Sequence, residues 1–141
     1  MKILFATDGS APALAALKSL LDRRDWFAGA FDLTVVNVHP AIPFKRAAAW
    51  AGQDALRTYY DEECEGALAS SVAELKARGI AFKADKRVGE PASTIVAMAE
   101  HDKYDLIALG AQGHSALAHL MMGSIAQKVV ASSKVPVLLL R

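Results

Sequence analysis

Short apolar runs alternate along the chain with stretches whose apolar residues recur every three or four positions, a pattern that predicts strands and helices in turn. Ile3 to Ala6 is an apolar run stopped by Thr7-Asp8-Gly9-Ser10, which reads as a buried strand entering a turn. In the helix that follows, Ser10 is placed to cap, Pro12 sits in the first turn, and Leu14, Leu17 and Leu21 recur at helical spacing. Leu33 to Val38 is rich in β-branched residues and predicts a second buried strand. Ala41 to Gln53, with two prolines and an alanine run, reads as a loop or lid running into a helix. Leu56, Tyr60, Cys64, Leu68, Val72 and Leu75 then mark one long amphipathic helix ended by Gly79.

Ile80, Phe82 and Ala84 alternate with polar residues, as a half-covered edge strand would, and Gly89-Glu90-Pro91 opens a helix carrying Ile95, Val96 and Ala99. Leu106 to Leu109 predicts a fourth strand and Gly110 to Gly123 a long loop. Ser124 to Ser133 predicts a helix with Ile125, Val129 and Val130 inward, and Val135 to Leu140 a last strand. Strands alternating with helices imply parallel pairing, because right-handed crossovers lay the helices on both faces of one sheet. The expected architecture is α/β, a single domain over residues 1–141 built on one open parallel five-stranded sheet with helices on both faces. In such sheets a ligand sits beyond the carboxyl ends of the strands, where the strand order reverses. With the first and fourth strands as central neighbours, that crevice lies between Thr7-Asp8-Gly9-Ser10 and the loop beginning at Gly110.

Composition narrows the class of partner. The chain is 53% hydrophobic and carries 16 basic against 15 acidic residues, a net charge of +1 that offers no electrostatic footprint for nucleic acid or an anionic membrane. One cysteine, Cys64, excludes an intrachain disulfide or a multi-cysteine metal site, and the expected compartment is the cytoplasm. The opening apolar run is shorter than a signal-peptide core of about 7 to 15 residues. Cys64 lies on the apolar face of the long helix and, like Trp26, Trp50, Tyr59 and the methionines, reads as packing, with Met121 and Met122 candidates for a wall of the long loop.

Gly110, Gly113 and Gly123-Ser124 fall as Gly-x2-Gly-x9-Gly-Ser, with a strand before the first glycine and a helix after the last. Glycines permit positive φ and close backbone approach, and a helix N-terminus, equivalent to roughly +0.5 charge, favours an anion. The spacing is neither the P-loop nor the dinucleotide fingerprint. At these residues the chain resembles the universal stress protein family, whose nucleotide-binding members carry this glycine pattern after their fourth strand. The resemblance extends over Ile3-Leu4-Phe5-Ala6-Thr7-Asp8-Gly9-Ser10, the strand end at Val38, Gly89-Glu90-Pro91, Asp105-Leu106-Ile107 and Val135-Pro136-Val137-Leu138-Leu139. It implies a Rossmann-like fold of the adenine nucleotide alpha hydrolase type and an adenine nucleotide as ligand, ATP with or without Mg2+. It places Asp8 by the nucleoside and the backbone of Val38 on adenine. Gly110, Gly113, Gly123, Ser124 and the amide of Ile125 fall on ribose and phosphates, and Thr7, Leu109, Gln112 and His114 complete the expected site.

The family loop often holds an arginine near its first two glycines, whereas this one reads Ala111-Gln112 and then His114, with no Lys or Arg from Gly110 to Gly123. Phosphate would then rest on backbone amides, Ser124, and His114 or His119, unless Lys45 and Arg46 reach in. A phosphotransferase of the haloacid dehalogenase class would need a nucleophilic aspartate where Ala6 stands. The expected function is therefore regulatory adenine-nucleotide binding without significant turnover, as a homodimer through the C-terminal strand. A slow ATPase or phosphotransferase and a nucleotide-free dimer are the alternatives.

Overall fold

A computed structural model describes residues 1–27, 29–43, 52–112 and 122–141. The opening apolar run forms β1 (Lys2–Ala6), and α1 (Ala11–Asp22) begins where Ser10 Oγ accepts the Ala13 N–H at 3.2 Å. A 3-10 turn (Arg24–Trp26) leads to β2 (Asp32–His39). The long amphipathic stretch is α2 (Gln53–Ala77), followed by β3 (Phe82–Val88) and by α3 (Pro91–His101), whose cap is the Glu90 carboxylate. After β4 (Leu106–Gly110) come α4 (Ser124–Ser132) and β5 (Val137–Leu140).

The five strands are all parallel, in the order β3-β2-β1-β4-β5, so β1 and β4 are the central neighbours the crevice requires. Because side chains alternate across a strand, Ile3 and Phe5 pack with Leu17, Leu20, Leu68 and Leu75 under α1 and α2. Leu4 and Ile107 turn the other way, to Ile95, Ala99 and Val129 under α3 and α4. The two apolar layers leave β1 wholly buried at Ile3, Leu4 and Phe5. Among the described residues no helix is long and apolar enough to cross a membrane.

Three expectations need correction. In α4 the inward residues are Ala126 and Val129, whereas Ile125 and Val130 are 37% and 46% exposed. The small Ala126 lets the helix sit close to the sheet, and that choice of stripe turns its neighbours outward. The third strand starts after Ile80 and runs on through charged positions, with Ala84 exposed. Phe82 packs beneath the C-terminal half of α2, but farther along the same face Lys86 takes over, paired with Asp61 and Glu65. Trp26 is not packed: it lies 68% exposed in the 3-10 turn, with the Arg23 guanidinium over its ring. Met1 is likewise half exposed, Met98 is buried, and Trp50 and Met121 fall outside the described residues.

Candidate functional site

The site starts where β1 stops. Thr7 N donates to Val36 O at 2.9 Å, the last rung of the β1–β2 ladder, and Asn37 Nδ2 donates to Thr7 O at 2.8 Å. Main-chain groups of alternate residues point to the same side of a strand, so Val38, like Val36, turns its N–H and C=O toward β1. β1 has ended by then. The Val38 peptide edge therefore opens on the crevice, whereas His39 O, facing the other way, is taken by Gly89 N at 2.9 Å. The turn after β1 is held by Asp8, whose Oδ1 accepts the Ser10 N–H at 2.9 Å.

The opposite wall comes from β4 and α4. Gly110 does not adopt positive φ; a Cβ there would sit tightly against Gln112 O at 3.3 Å and in ordinary contact with Ala16 Cβ at 3.5 Å, so the neck is close-packed at this point. Gly123 N donates to Ala111 O at 2.8 Å, so the two glycine-bearing ends of the long loop meet as neighbours. Gln127 Nε2 braces this neck by donating to Met122 O at 2.8 Å. Gly123 is the cap residue of α4, with φ −59°, and supplies no side chain. Where Ser10 closes α1 and Glu90 closes α3, no side chain among the described residues caps the first turn of α4, and its amides are placed to meet an outside acceptor.

Between these walls lies a cavity of about 780 Å³, within the range of small-molecule sites. It brings together Thr7, Asp8, Val38, Leu109, Gly110, Gln112, Gly123, Ser124 and Ile125 of the expected set, with Met122 in the wall. Gly113 and His114, with His119, Lys45 and Arg46, lie outside the described residues. The exposure of Ile125 has its explanation here, because it faces the cavity rather than the core. Sequence reasoning missed Asn37, His39, Glu63 and Gln127, which also line or brace the space. Asn37 and His39 flank Val38 at a strand end and were within reach of the same argument; Glu63 and Gln127 carry no local signal. Among the described lining residues the ionisable side chains are Asp8, His39 and Glu63.

Away from the cavity, burial pushes the Cys64 thiol above its ordinary range, consistent with a packing role. The Glu90 carboxyl is drawn from 4.5 down to about 2 by the backbone N–H of Ser93 and then by its hydroxyl. Glu90 also reaches Lys128 of α4 at 3.5 Å, linking the two helices that cover one face.

Comparison with known proteins agrees with the fold. The profile of the Universal stress protein family matches residues 1–141. Universal stress protein MJ0531 of Methanocaldococcus jannaschii is 29% identical over 141 residues, covering 99% of this chain and 81% of that protein. Among solved structures, that of the hypothetical protein MJ0577 superposes with a TM-score of 0.77 at 27% identity, covering 99% of this chain and 94% of the other. A universal stress protein in complex with cAMP superposes with a TM-score of 0.68 at 26% identity, covering 100% and 97% of the two chains.

Proposed function

This chain belongs to the universal stress protein family, and from that premise we propose that it binds an adenine nucleotide, ATP or a shorter relative, in the cavity between β1 and β4. The observation that carries the reading is the open Val38 peptide edge facing, across the cavity, the uncapped first turn of α4. A main-chain N–H and C=O side by side match the N1 acceptor and N6 donor of adenine. The α4 amides and Ser124 hydroxyl offer hydrogen bonds and a positive dipole end to phosphate. Thr7, Asp8, Leu109 and Gln112 lie between and bound the ribose, with Gly113 and His114 contributing from the loop. The cAMP bound by a structural relative supports the ligand class.

The role that follows is regulatory: occupancy alters the surface presented by the loop and α4, in a cytoplasmic homodimer joined through β5, with residues 1–141 as one domain. The first test is titration calorimetry with ATP and AMP. One site per chain with micromolar affinity, a free energy of about 8 kcal/mol, is the expected result. Gly123→Val, which puts a branched side chain at the mouth of the α4 amides, should weaken binding at least tenfold. Phosphate release by the same samples should fall far below the roughly 10 per second typical of enzymes. Equal affinity in the variant would remove the glycine neck from the site, and enzyme-like release would replace the binding role with a catalytic one.

A further inference from the structure

Gly123 leads into α4, and Gln127 holds it from two sides. The Gln127 backbone N–H donates to Gly123 O at 3.0 Å, the first bond of the helix, and its side-chain Nε2 donates to Met122 O at 2.8 Å. A carbonyl only accepts, so the side-chain amide must turn its donor end to Met122. At the other end of the same peptide, Gly123 N donates to Ala111 O at 2.8 Å, and Ala111 N in turn donates to Leu140 O at 2.9 Å. The Met122–Gly123 peptide is thus gripped at both ends, by a side chain of α4 and by the residue that follows β4. That grip decides between two orientations. Glycine permits positive φ, so this peptide could rotate to exchange its N–H and C=O, carrying Gly123 from its φ of −59° into a range other residues avoid. Once rotated, its carbonyl would oppose Ala111 O, and the join between β4 and α4 would part.

We infer that Gln127 is a positioning residue for the phosphate end of the cavity: by fixing the Met122–Gly123 peptide it holds the first turn of α4 at a set distance from Val38. This inference rests on the nucleotide-binding reading and adds the means by which its two ends are kept in register. Because the Gly123 N–H is spent on Ala111, the groups left for a phosphate are the amides of Ser124 and Ile125 and the Ser124 hydroxyl. A ligand that spans both ends needs the distance between them fixed beforehand, since ordering the join at the moment of binding costs affinity. A ligand that engages the base end alone does not. Gln127 is exposed, and the core contacts of α4 are made by Ala126 and Val129, so its replacement leaves the core intact.

The experiment compares AMP with adenosine, which lacks the phosphate, by calorimetry on the whole protein before and after Gln127→Met. Methionine keeps the length and helix propensity of glutamine and loses the donor. AMP should weaken at least about fivefold while adenosine changes by less than about twofold, the contrast expected when one hydrogen bond of ordinary net strength is felt by one ligand alone. Hydrogen exchange followed by NMR without ligand should show the Gly123 N–H exchanging faster in the variant, a readout independent of any nucleotide. Equal weakening of both ligands, an AMP affinity unmoved by the substitution, or unchanged exchange at Gly123 overturns the positioning role while leaving nucleotide binding in place. If the unmodified chain binds neither ligand, the nucleotide reading falls and the role of Gln127 with it.

Discussion

Gly9 carries a double constraint. Its φ of +79° is a conformation L side chains rarely adopt, and a Cβ there would stand 2.8 Å from Ala67 Cα and 2.9 Å from Ala67 O. Both atoms are backbone in the middle of α2, so nothing flexible can yield. A positive φ alone costs a non-glycine residue of order 1–3 kcal/mol, and displacement of the helix adds to it. Gly9→Ala should therefore destabilise the fold by about 2 kcal/mol or more, seen as a lower urea midpoint with an unchanged slope. Ala67 and Glu63 both line the cavity, so the variant should also lose ligand affinity. A midpoint within error of the unmodified protein would show that α2 moves aside without cost. At this scale the sequence was informative where a residue type has few alternatives. Thr7, Asp8, Val38, Gly110 and Gly123 mark strand ends and loop ends, and their convergence follows from topology. Glu63 has no such mark, because in a 25-residue helix one glutamate among several reveals its direction only after the helix is placed.

Between elements, the way each helix begins separates structural from binding ends. In α3 the Glu90 carboxylate accepts the Ser93 N–H at 2.8 Å and its pKa falls from 4.5 to about 2. A carboxyl whose folded value is depressed contributes stability that is fully present above its ordinary value and disappears as pH falls through the folded one. The stability difference between the unmodified chain and Glu90→Gln should thus be constant above about pH 5 and shrink between about pH 4.5 and 2. Urea midpoints measured across that range for both proteins check this. A difference that stays the same at pH 2.5 as at pH 6 would mean that the cap does not depend on charge. The cap at Ser10 was legible from spacing, as were the helix start at Gly89-Glu90-Pro91 and the open amides at Gly123, whereas the capping role of the Glu90 carboxylate emerged only from the structure. What spacing alone did not resolve was the direction of α4: two stripes, one through Ile125 and one through Ala126, are both apolar, and close approach to the sheet favours the smaller residue. The extension of β3 past Ala84 was hidden for a related reason, since an edge strand can carry charged residues that pair with the helix above it.

For the molecule as a whole, the two edges of the sheet differ. β3 at one edge carries Lys83, Asp85, Lys86 and Arg87, the kind of charge that keeps an edge from pairing. β5 at the other reads Val-Leu-Leu-Leu, and only Leu140 of it is buried. Pro136 does not protect this edge. Its carbonyl accepts the Ile107 N–H at 2.9 Å, so its missing donor faces β4, and by the alternation along the strand Val137 and Leu139 turn their N–H and C=O groups outward. An apolar strand with intact outward donors and acceptors is satisfied most simply by the same strand of a second copy, and a twofold axis makes that pairing antiparallel. Sedimentation equilibrium at micromolar concentration should therefore give twice the chain mass. Val137→Pro offers the sharper test. It leaves the bonds to β4 in place, removes one outward donor and puts a ring against the incoming strand. The dimer should dissociate at least tenfold more readily while the monomer keeps its fold by circular dichroism. A soluble monomer for the unmodified protein, or a dimer indifferent to proline at this position, would locate the contact elsewhere or abolish it.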